Sequence, residues 1–213
     1  MSFVDIPVSH GQLEALYWDV DKPRAAAIVC HPHPLHGGTM HNHVTYRIAK
    51  AFRDRGISTL RFNYRGVGRS TGSYDEGRGE LEDAAAALAF LAEQVPGVPL
   101  YSAGFSFGSR IALRLPTEEK NLRAVLAAGL AVDLFDFEFV VGLTLPKAFI
   151  QSELDEYGDL AKVRALVERA LPPKQLFIVP NADHLCSNRL DAFEKIAASA
   201  VDWLLSTSQR ANG

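Results

Sequence analysis

Ser106 is the residue of this chain whose surroundings most clearly suggest chemistry. It lies at the centre of Gly104-Phe105-Ser106-Phe107-Gly108, after an apolar run and before a helical pattern. In that context Gly-x-Ser-x-Gly is typical of a sharp strand-to-helix turn that exposes the serine hydroxyl at the edge of a sheet. The amide of Phe107, at the N-terminus of the new helix, would then point to where an oxyanion forms. A serine that merely caps a helix is the alternative, but the strand, turn and helix together favour a nucleophile.

A serine nucleophile needs a general base, and the base needs a carboxylate that orients it. His184 is the one histidine that follows Ser106 in the sequence, just after the apolar run that ends at Val179. Asp155 follows the preceding apolar run and is our candidate for the carboxylate. Asp133 is its main rival, and the other carboxylates nearby are Glu153, Glu156 and Asp159. The sequence therefore predicts a catalytic triad in the chain order Ser106, Asp155, His184.

Residues 31–40 could supply the second half of an oxyanion hole. Pro32 and Pro34 have no amide hydrogen, so we expect the amide of His33 to be the second donor, with the amide of Leu35 as the alternative. Five of the seven histidines lie between positions 31 and 43, which makes a metal site another interpretation. Because this stretch itself contains no carboxylate or cysteine, we expect no metal here, and acyl transfer by a catalytic triad requires no cofactor.

A parallel sheet would bring these distant residues together. Short apolar runs at 25–30, 57–62, 98–103, 124–128, 148–151 and 176–179 alternate with helix candidates at 44–55, 80–94, 106–115, 160–170 and 188–205. Runs without polar alternation are typical of strands that are buried on both faces, and their alternation with helices indicates a parallel sheet. Residues 3–8 and 12–20 predict an antiparallel hairpin at one edge.

The predicted fold class is therefore α/β: a three-layer sandwich around a doubly wound, mostly parallel sheet with an N-terminal antiparallel hairpin. We expect residues 1–213 to form a single domain without a separate cap, because residues 130–145 are too few for a helical one. The site should lie at the carboxyl ends of the strands. Residues 206–213 are small and polar and predict a frayed tail.

Composition excludes several classes of function. Hydrophobic residues make up 47% of the chain, charged residues 22%, and the formal net charge is −3, which is ordinary for a globular protein. This balance provides no electrostatic footprint for nucleic acid or for an anionic membrane. Two cysteines are too few for a disulfide framework. With neither a signal peptide nor a membrane-spanning run in view, we expect a cytoplasmic protein.

Residues 31–40, 61–70, 104–108 and 182–184 carry a family resemblance. On these segments the chain resembles the α/β-hydrolase superfamily, and more narrowly the small cap-less bacterial serine hydrolases and esterases near the dienelactone hydrolase branch. The resemblance implies Ser106, Asp155 and His184 as the triad, with Phe107 and His33 as oxyanion donors.

This sequence also departs from patterns of the superfamily. Ser152 stands where many members have the glycine of Gly-x-x-Asp before the triad acid. Dienelactone hydrolases use cysteine as the nucleophile and haloalkane dehalogenases use aspartate, so Ser106 argues against both of those activities.

The expected activity is hydrolysis of a small-molecule carboxylic ester or thioester with a small or short acyl group, through an acyl-enzyme. We expect Leu35, Phe135 and Phe137 to line the substrate pocket. The apolar segment that contains the two phenylalanines could instead form a homodimer patch or a short helix packed on the core. A peptidase or acyltransferase with the same triad, and a non-catalytic binding module with this fold, are the alternative functions.

Overall fold

A mostly parallel sheet of eight strands organises the computed structural model, which describes residues 1–119 and 121–210. The strands are β1 (Ser2–Val8), β2 (Gly11–Trp18), β3 (Ala25–Cys30), β4 (Ile57–Phe62), β5 (Leu100–Phe105), β6 (Leu122–Ala128), β7 (Lys147–Ser152) and β8 (Lys174–Val179). Their order across the sheet is β1-β2-β4-β3-β5-β6-β7-β8. The β1–β2 hairpin is antiparallel and pairs antiparallel with β4, whereas all pairs from β4 to β8 are parallel. The predicted fold class is confirmed.

Helices cover both faces of the sheet. They are α1 (His43–Arg53), α2 (Arg78–Gln94), α3 (Phe107–Glu118), α4 (Leu160–Arg169) and α5 (Leu190–Arg210). The core on one face includes Ile48 of α1 and Val201 of α5. The core on the other face includes Leu88 of α2, Ile111 of α3 and Val163 of α4. The three layers follow from these two separate cores.

The central strand β3 shows why its sequence forms a buried strand. All six of its residues are buried. Successive side chains of a strand point to opposite faces, so Ile28 and Cys30 join one core while Ala27 and Val29 join the other. A strand that is covered on both faces needs no polar alternation, which explains the unbroken apolar run.

Most element boundaries differ from the sequence prediction by a few residues, and two of the differences have a clear cause or consequence. Strand β5 begins at Leu100, two residues later than predicted. The predicted frayed tail is wrong as far as Arg210, because α5 continues to that residue, and residues 211–213 lie outside the described part of the chain. Buried Leu205 and a 2.7 Å hydrogen bond between the Ser208 and Tyr101 hydroxyls hold this helix end against the sheet.

No helical cap lies above the carboxyl edge between β6 and β7. The connection contains one 3-10 turn, Glu138–Gly142, and no α-helix. Within the described residues, no helix combines the length and the hydropathy that crossing a bilayer would require. The connection between β6 and β7 therefore places no α-helix over the carboxyl edge of the sheet.

Candidate active site

Ser106 occupies a strained turn between β5 and α3. Its φ of 57° and ψ of −123° lie in a region that costs a serine conformational energy. Glycines on both sides permit the turn: a Cβ on Gly104 would lie 2.0 Å from the Gly108 carbonyl oxygen, and one on Gly108 would lie 2.4 Å from the Cys30 carbonyl oxygen. The sequence therefore folds locally so that the hydroxyl is presented beyond the end of β5.

A continuous chain of hydrogen bonds links the three predicted triad residues. Ser106 Oγ lies 2.9 Å from His184 Nε2, and His184 Nδ1 lies 2.9 Å from each carboxylate oxygen of Asp155. Because an ionised carboxylate only accepts, His184 Nδ1 donates to Asp155, which leaves Nε2 to accept from the serine hydroxyl. His184 and Asp155 are both almost fully buried. The arrangement has the geometry in which a hydroxyl can transfer its proton to an imidazole.

Asp155 is held in place by two further donors. The Gln151 side-chain amide donates to Oδ2 at 2.9 Å, and the backbone amide of Tyr157 donates to Oδ1 at 3.0 Å. These bonds satisfy a buried carboxylate that would otherwise be costly. Gln151 is the penultimate residue of β7 and had no predicted role. Its contact with Asp155 depends on the path of the loop after β7, which the sequence does not define.

The rival carboxylates make other contacts. Asp133 forms an ion pair with Lys162 and accepts from the amide of Asp159. Glu156 accepts from the backbone amide of His184, and so supports the loop of the base rather than its ring. Glu153 accepts from the amide of Asn181, and Asp159 caps α4 by accepting from the amide of Lys162. Only Asp155 contacts the His184 imidazole among the described carboxylates.

Two aromatic rings fix the plane of His184. Phe105 lies 5.0 Å from it between ring centroids, and Tyr157 packs edge-on at the same distance. These contacts limit rotation of the imidazole and reduce its contact with water. The base is therefore held between the nucleophile and the acid by packing as well as by hydrogen bonds.

Two backbone amides, those of Phe107 and His33, have no internal hydrogen-bond acceptor among the described residues, and the rings of these two residues pack together with a centroid separation of 5.0 Å. Phe107 is the first residue of α3, and the amides of a helix's first turn have no intrahelical acceptor. Among the described residues, neither the Phe107 amide nor the His33 amide donates a hydrogen bond. The amide of Leu35, by contrast, donates to His33 Nδ1 at 3.2 Å. Of the two candidates in this loop, His33 is thus the one whose amide remains available.

Polar residues missed in the sequence anchor the loop that carries His33. Asn63 Oδ1 accepts from the buried amide of Met40 at 2.8 Å, and its Nδ2 donates to Glu14 Oε2 at 2.8 Å. Glu14 also accepts from the backbone amide of Arg69. Asn63 directly follows β4, so its position after a predicted strand was a signal that could have identified it.

His31 supports the same loop from within the core. It is fully buried; Nδ1 donates to the Pro32 carbonyl at 2.6 Å, and Nε2 accepts from the Tyr64 amide at 3.1 Å. Burial lowers the pKa of His31 to about 3, although the bond to the Pro32 carbonyl opposes this shift. His31 is therefore a neutral structural residue at neutral pH.

The predicted pocket residues have different environments. Leu35 is 67% exposed beside the candidate oxyanion loop. Phe135 contacts the rings of His33 and Phe107, with centroid separations of 6.2 and 6.0 Å. Phe137 is buried and stacks on Phe139.

Phe135 and Phe137 both border a surface depression of about 330 Å³ whose other side is formed by α4. None of the three reacting side chains lines that depression. Phe135 also reaches the group of rings that includes His33 and Phe107, whereas the ring contact of Phe137 is with Phe139. Tyr74, which the sequence did not single out, belongs to that group, since its ring centroid lies 5.0 Å from that of His33.

The histidine cluster does not converge on one point. His31 and His33 are engaged in the contacts described above, while His36 packs against His33 with a centroid separation of 4.7 Å. His41 and His43 line a different surface pocket. Within residues 1–119 and 121–210, no group of three histidine, cysteine or acidic side chains has an arrangement that could hold a metal ion.

Comparisons with known proteins identify the family and agree with the fold. Residues 21–134, just over half of the chain, match the family described as serine aminopeptidase, S33. An uncharacterized protein of Rickettsia prowazekii is 34% identical over 195 residues, which are 87% of this chain and 82% of that protein. An α/β serine hydrolase homologue from Coxiella burnetii is 32% identical with a TM-score of 0.87, covering 93% of this chain and 96% of its own. A lid-less α/β serine hydrolase from Xanthomonas campestris is 30% identical with a TM-score of 0.86, covering 94% and 93%.

Proposed function

The chain belongs to the serine aminopeptidase S33 family of the α/β-hydrolase superfamily, as a cap-less bacterial member, and from this premise we propose that it hydrolyses carboxylic esters with small or short acyl groups. The hydrogen-bonded chain Ser106–His184–Asp155 is the observation that carries the proposal. It needs no cofactor, because the nucleophile, the base and the orienting carboxylate are all side chains of this protein.

In the first half-reaction Ser106 Oγ attacks the ester carbonyl carbon while its proton passes to His184 Nε2. The tetrahedral intermediate collapses, the bond to the alcohol oxygen breaks, and His184 returns the proton to the leaving alcohol. Asp155, which contacts His184 Nδ1 through both oxygens, stabilises the imidazolium that forms in between. Water, deprotonated by His184, then attacks the acyl-enzyme; the bond to Ser106 Oγ breaks, His184 returns the proton to this oxygen, and the carboxylic acid is released.

The developing negative charge on the carbonyl oxygen needs donors that are already in place. We assign this role to the amides of Phe107 and His33, which donate to no other group among the described residues. One such donor is worth on the order of 3 kcal/mol of transition-state stabilisation. Asn63 and His31 contribute indirectly, because they hold the loop that presents the His33 amide.

A peptidase is the second candidate, since the description of the matching family favours it. It would use the same three side chains, but His184 would have to protonate an amine leaving group. The two candidates differ in substrate preference only. A p-nitrophenyl butyrate assay and an alanine p-nitroanilide assay on the same preparation distinguish them, and we expect turnover of the ester to dominate.

Ser106→Ala tests the proposal directly. We expect the wild-type protein to be labelled by a fluorophosphonate probe and the variant not to be labelled. We also expect ester turnover to fall by at least about 10⁴-fold. Ser199→Ala, a change on the exposed side of α5, is the matched control and should retain both labelling and activity. Labelling or full turnover in folded Ser106→Ala protein would refute the assignment.

A further inference from the structure

Arg61 is a buried cation that has no carboxylate partner among the described residues. The residue is only 4% exposed. Its Nη1 donates to the Met40 carbonyl oxygen at 2.7 Å, its Nη2 lies 3.8 Å from the Met1 sulfur, and its Cζ lies 5.3 Å from the centroid of the Tyr46 ring. Burial lowers the pKa of Arg61, and the electrostatic effect of Tyr46 opposes this shift. These neutral contacts leave donors of the guanidinium without an anionic acceptor, although buried charges are normally paired.

The guanidinium borders an open pocket of about 360 Å³, which is within the range of small-molecule sites. The pocket lies in the corner between α1 and the β1–β2 hairpin, and its walls are Met1, Phe3, Leu16, His41, His43, Tyr46 and Arg61. The ionisable side chains among them are basic or phenolic, and none is a carboxylate. The rest of the wall is apolar. The pocket therefore combines a positive end with a hydrophobic side.

The N-terminus of α1 adds to the positive potential. His43 is the first residue of this eleven-residue helix, and Asn42 Oδ1 accepts from the amides of Val44 and Thr45. The positive end of the helix dipole favours an anion at this position. In contrast, the arginines and lysine farther along α1 are already paired with Asp54 or Glu194.

This pocket is separate from the reacting side chains. Arg61 lies on β4, and Ser106 follows β5, with β3 between them. Two strand spacings place the two backbones on the order of 10 Å apart. None of Ser106, Asp155 and His184 lines the pocket.

We propose that this pocket binds a small organic monocarboxylate whose carboxylate meets Arg61 and whose hydrocarbon body packs on Phe3, Leu16 and Tyr46. The planar guanidinium presents parallel N–H groups that match a carboxylate. His41 and His43 line the pocket wall, so their imidazoles would lie beside the bound ligand. The apolar wall selects against a bare inorganic anion, which has no body to bury.

Binding to the full-length protein can be followed through the imidazole NMR signals of His41 and His43 during titration with sodium octanoate. Octanol provides the same body without the charge, and inorganic phosphate provides charge without the body. The signal of His184 reports separately on any occupancy of the catalytic site. We expect saturable octanoate-induced shifts of the His41 and His43 imidazole signals, and much weaker effects of octanol and phosphate.

Variants identify the groups that bind the ligand. Arg61→Met should weaken octanoate binding by roughly tenfold or more, because a charge-assisted bond is lost, whereas Arg164→Met, on the exposed side of α4, should not. If Arg61→Met fails to fold, Phe3→Glu provides the test, since Phe3 is 60% exposed and the new carboxylate would repel the ligand. Phe3→Gln is its neutral control and should weaken binding less.

Three results would overturn the proposal. They are the absence of saturable shifts at His41 and His43, equal binding of octanol or phosphate, and unchanged octanoate affinity in folded Arg61→Met or in Phe3→Glu protein. A purely structural role of Arg61, in which it only holds the Met40 carbonyl, predicts the first of these results. The two interpretations are therefore distinguished by a readout that does not depend on ester hydrolysis.

Discussion

Asp155 and Asp133 provide a matched pair for testing which carboxylate orients the base. Asp155 contacts His184 Nδ1, whereas Asp133 contacts Lys162. We expect Asp155→Asn to lower kcat for a p-nitrophenyl ester by about 10⁴-fold, because an amide in that place no longer stabilises the tautomer and the imidazolium that the reaction needs. Asp133→Asn should retain nearly full activity. A reversed order of the two kcat values would show that the acid had been misassigned.

His31 predicts a specific dependence of stability on pH. Its pKa is lowered from 6.5 to about 3 by burial, so between these values the unfolded chain binds a proton that the folded chain does not. The unfolding free energy due to His31 is therefore fully present above about pH 6.5 and falls as the pH drops towards 3. The slope approaches about 1.4 kcal/mol per pH unit. Burial also lowers the pKa of His33, which acts in the same direction.

Urea unfolding at about pH 7 and about pH 5 measures this contribution. Between these two pH values we expect the unfolding free energy of His31→Asn to fall by about 2 kcal/mol less than that of the wild type, because residue 31 no longer titrates. Val29→Ala, at a buried neighbour in β3, should destabilise the protein at both pH values but leave the pH dependence unchanged. If the unfolding free energies of His31→Asn and the wild type depended equally on pH, His31 would not be buried in its neutral form.

Residue type and position after a strand were enough to select Ser106, Asp155 and His184, because each chemistry requires a particular side chain at the carboxyl edge. The same reasoning could not find the cation of Arg61 or the role of Gln151. Arg61 lies inside a predicted strand and Gln151 is the last residue of one, and at both positions the sequence pattern indicates burial but not the polar partner. Their partners, Met40 and Asp155, lie 21 and 4 residues away, on loops whose path the pattern does not define.

At the level of elements, the contact between α3 and β3 depends on Gly108. A methyl group there would lie 2.4 Å from the carbonyl oxygen of Cys30, the last residue of β3, and 2.5 Å from the carbonyl oxygen of His31, which follows it. Both are backbone atoms, which cannot move aside as a flexible side chain can. We expect Gly108→Ala to reduce the unfolding free energy by about 1–3 kcal/mol and to displace the Phe107 amide, with a loss of kcat. Chemical denaturation and ester turnover measure the two effects.

Gly142 is the control for this change. It lies in the 3-10 turn between β6 and β7, and a Cβ on it would meet no atom within 4 Å. Gly142→Ala should therefore have little effect on stability or turnover. If both alanine variants behaved alike, close packing at the nucleophile turn would not be the reason for glycine at position 108.

The sequence predicted the bounds of an element best where its side chains are buried in the core. The strand β3 was predicted with its observed bounds, because every position in it is apolar. The end of α5 was not, because residues 206–210 are mostly polar and their helical state depends on tertiary contacts such as the Ser208–Tyr101 bond. Local propensity is a weak guide where a hydrogen bond to another element determines the structure.

For the whole molecule, sheet topology explains why the site forms where it does. The chain leaves β3 through α1 to reach β4 on one side, and then crosses through α2 to reach β5 on the other side of β3. Such a reversal opens a crevice at the carboxyl ends of the neighbouring strands. The loop after β3 carries His33 and the turn after β5 carries Ser106, so both residues lie at the carboxyl ends of the two strands that border this crevice. The loops after β7 and β8 complete the site with Asp155 and His184.

The same architecture leaves large apolar side chains in solvent around the nucleophile. Five exposed apolar residues lie on loops at the carboxyl edge, namely Leu35, Leu134, Leu154, Tyr157 and Leu185. Without a cap they form an open rim, and an acyl chain resting on it would be buried on one side only. Each methylene should then gain less than the roughly 0.8 kcal/mol that full burial provides.

Leu35→Asp tests the rim on the side of the proposed oxyanion loop. We expect kcat/KM for p-nitrophenyl octanoate to fall by roughly threefold to tenfold, because apolar contact is lost and a charge is introduced. The value for the acetate ester, which is too short to extend along the rim, should change little. Leu171→Asp, at a similarly exposed leucine next to β8 and away from its carboxyl end, should affect neither ester. Equal losses for both esters in Leu35→Asp would place the defect in the loop that holds the His33 amide rather than in acyl-chain contact, because only the latter depends on chain length.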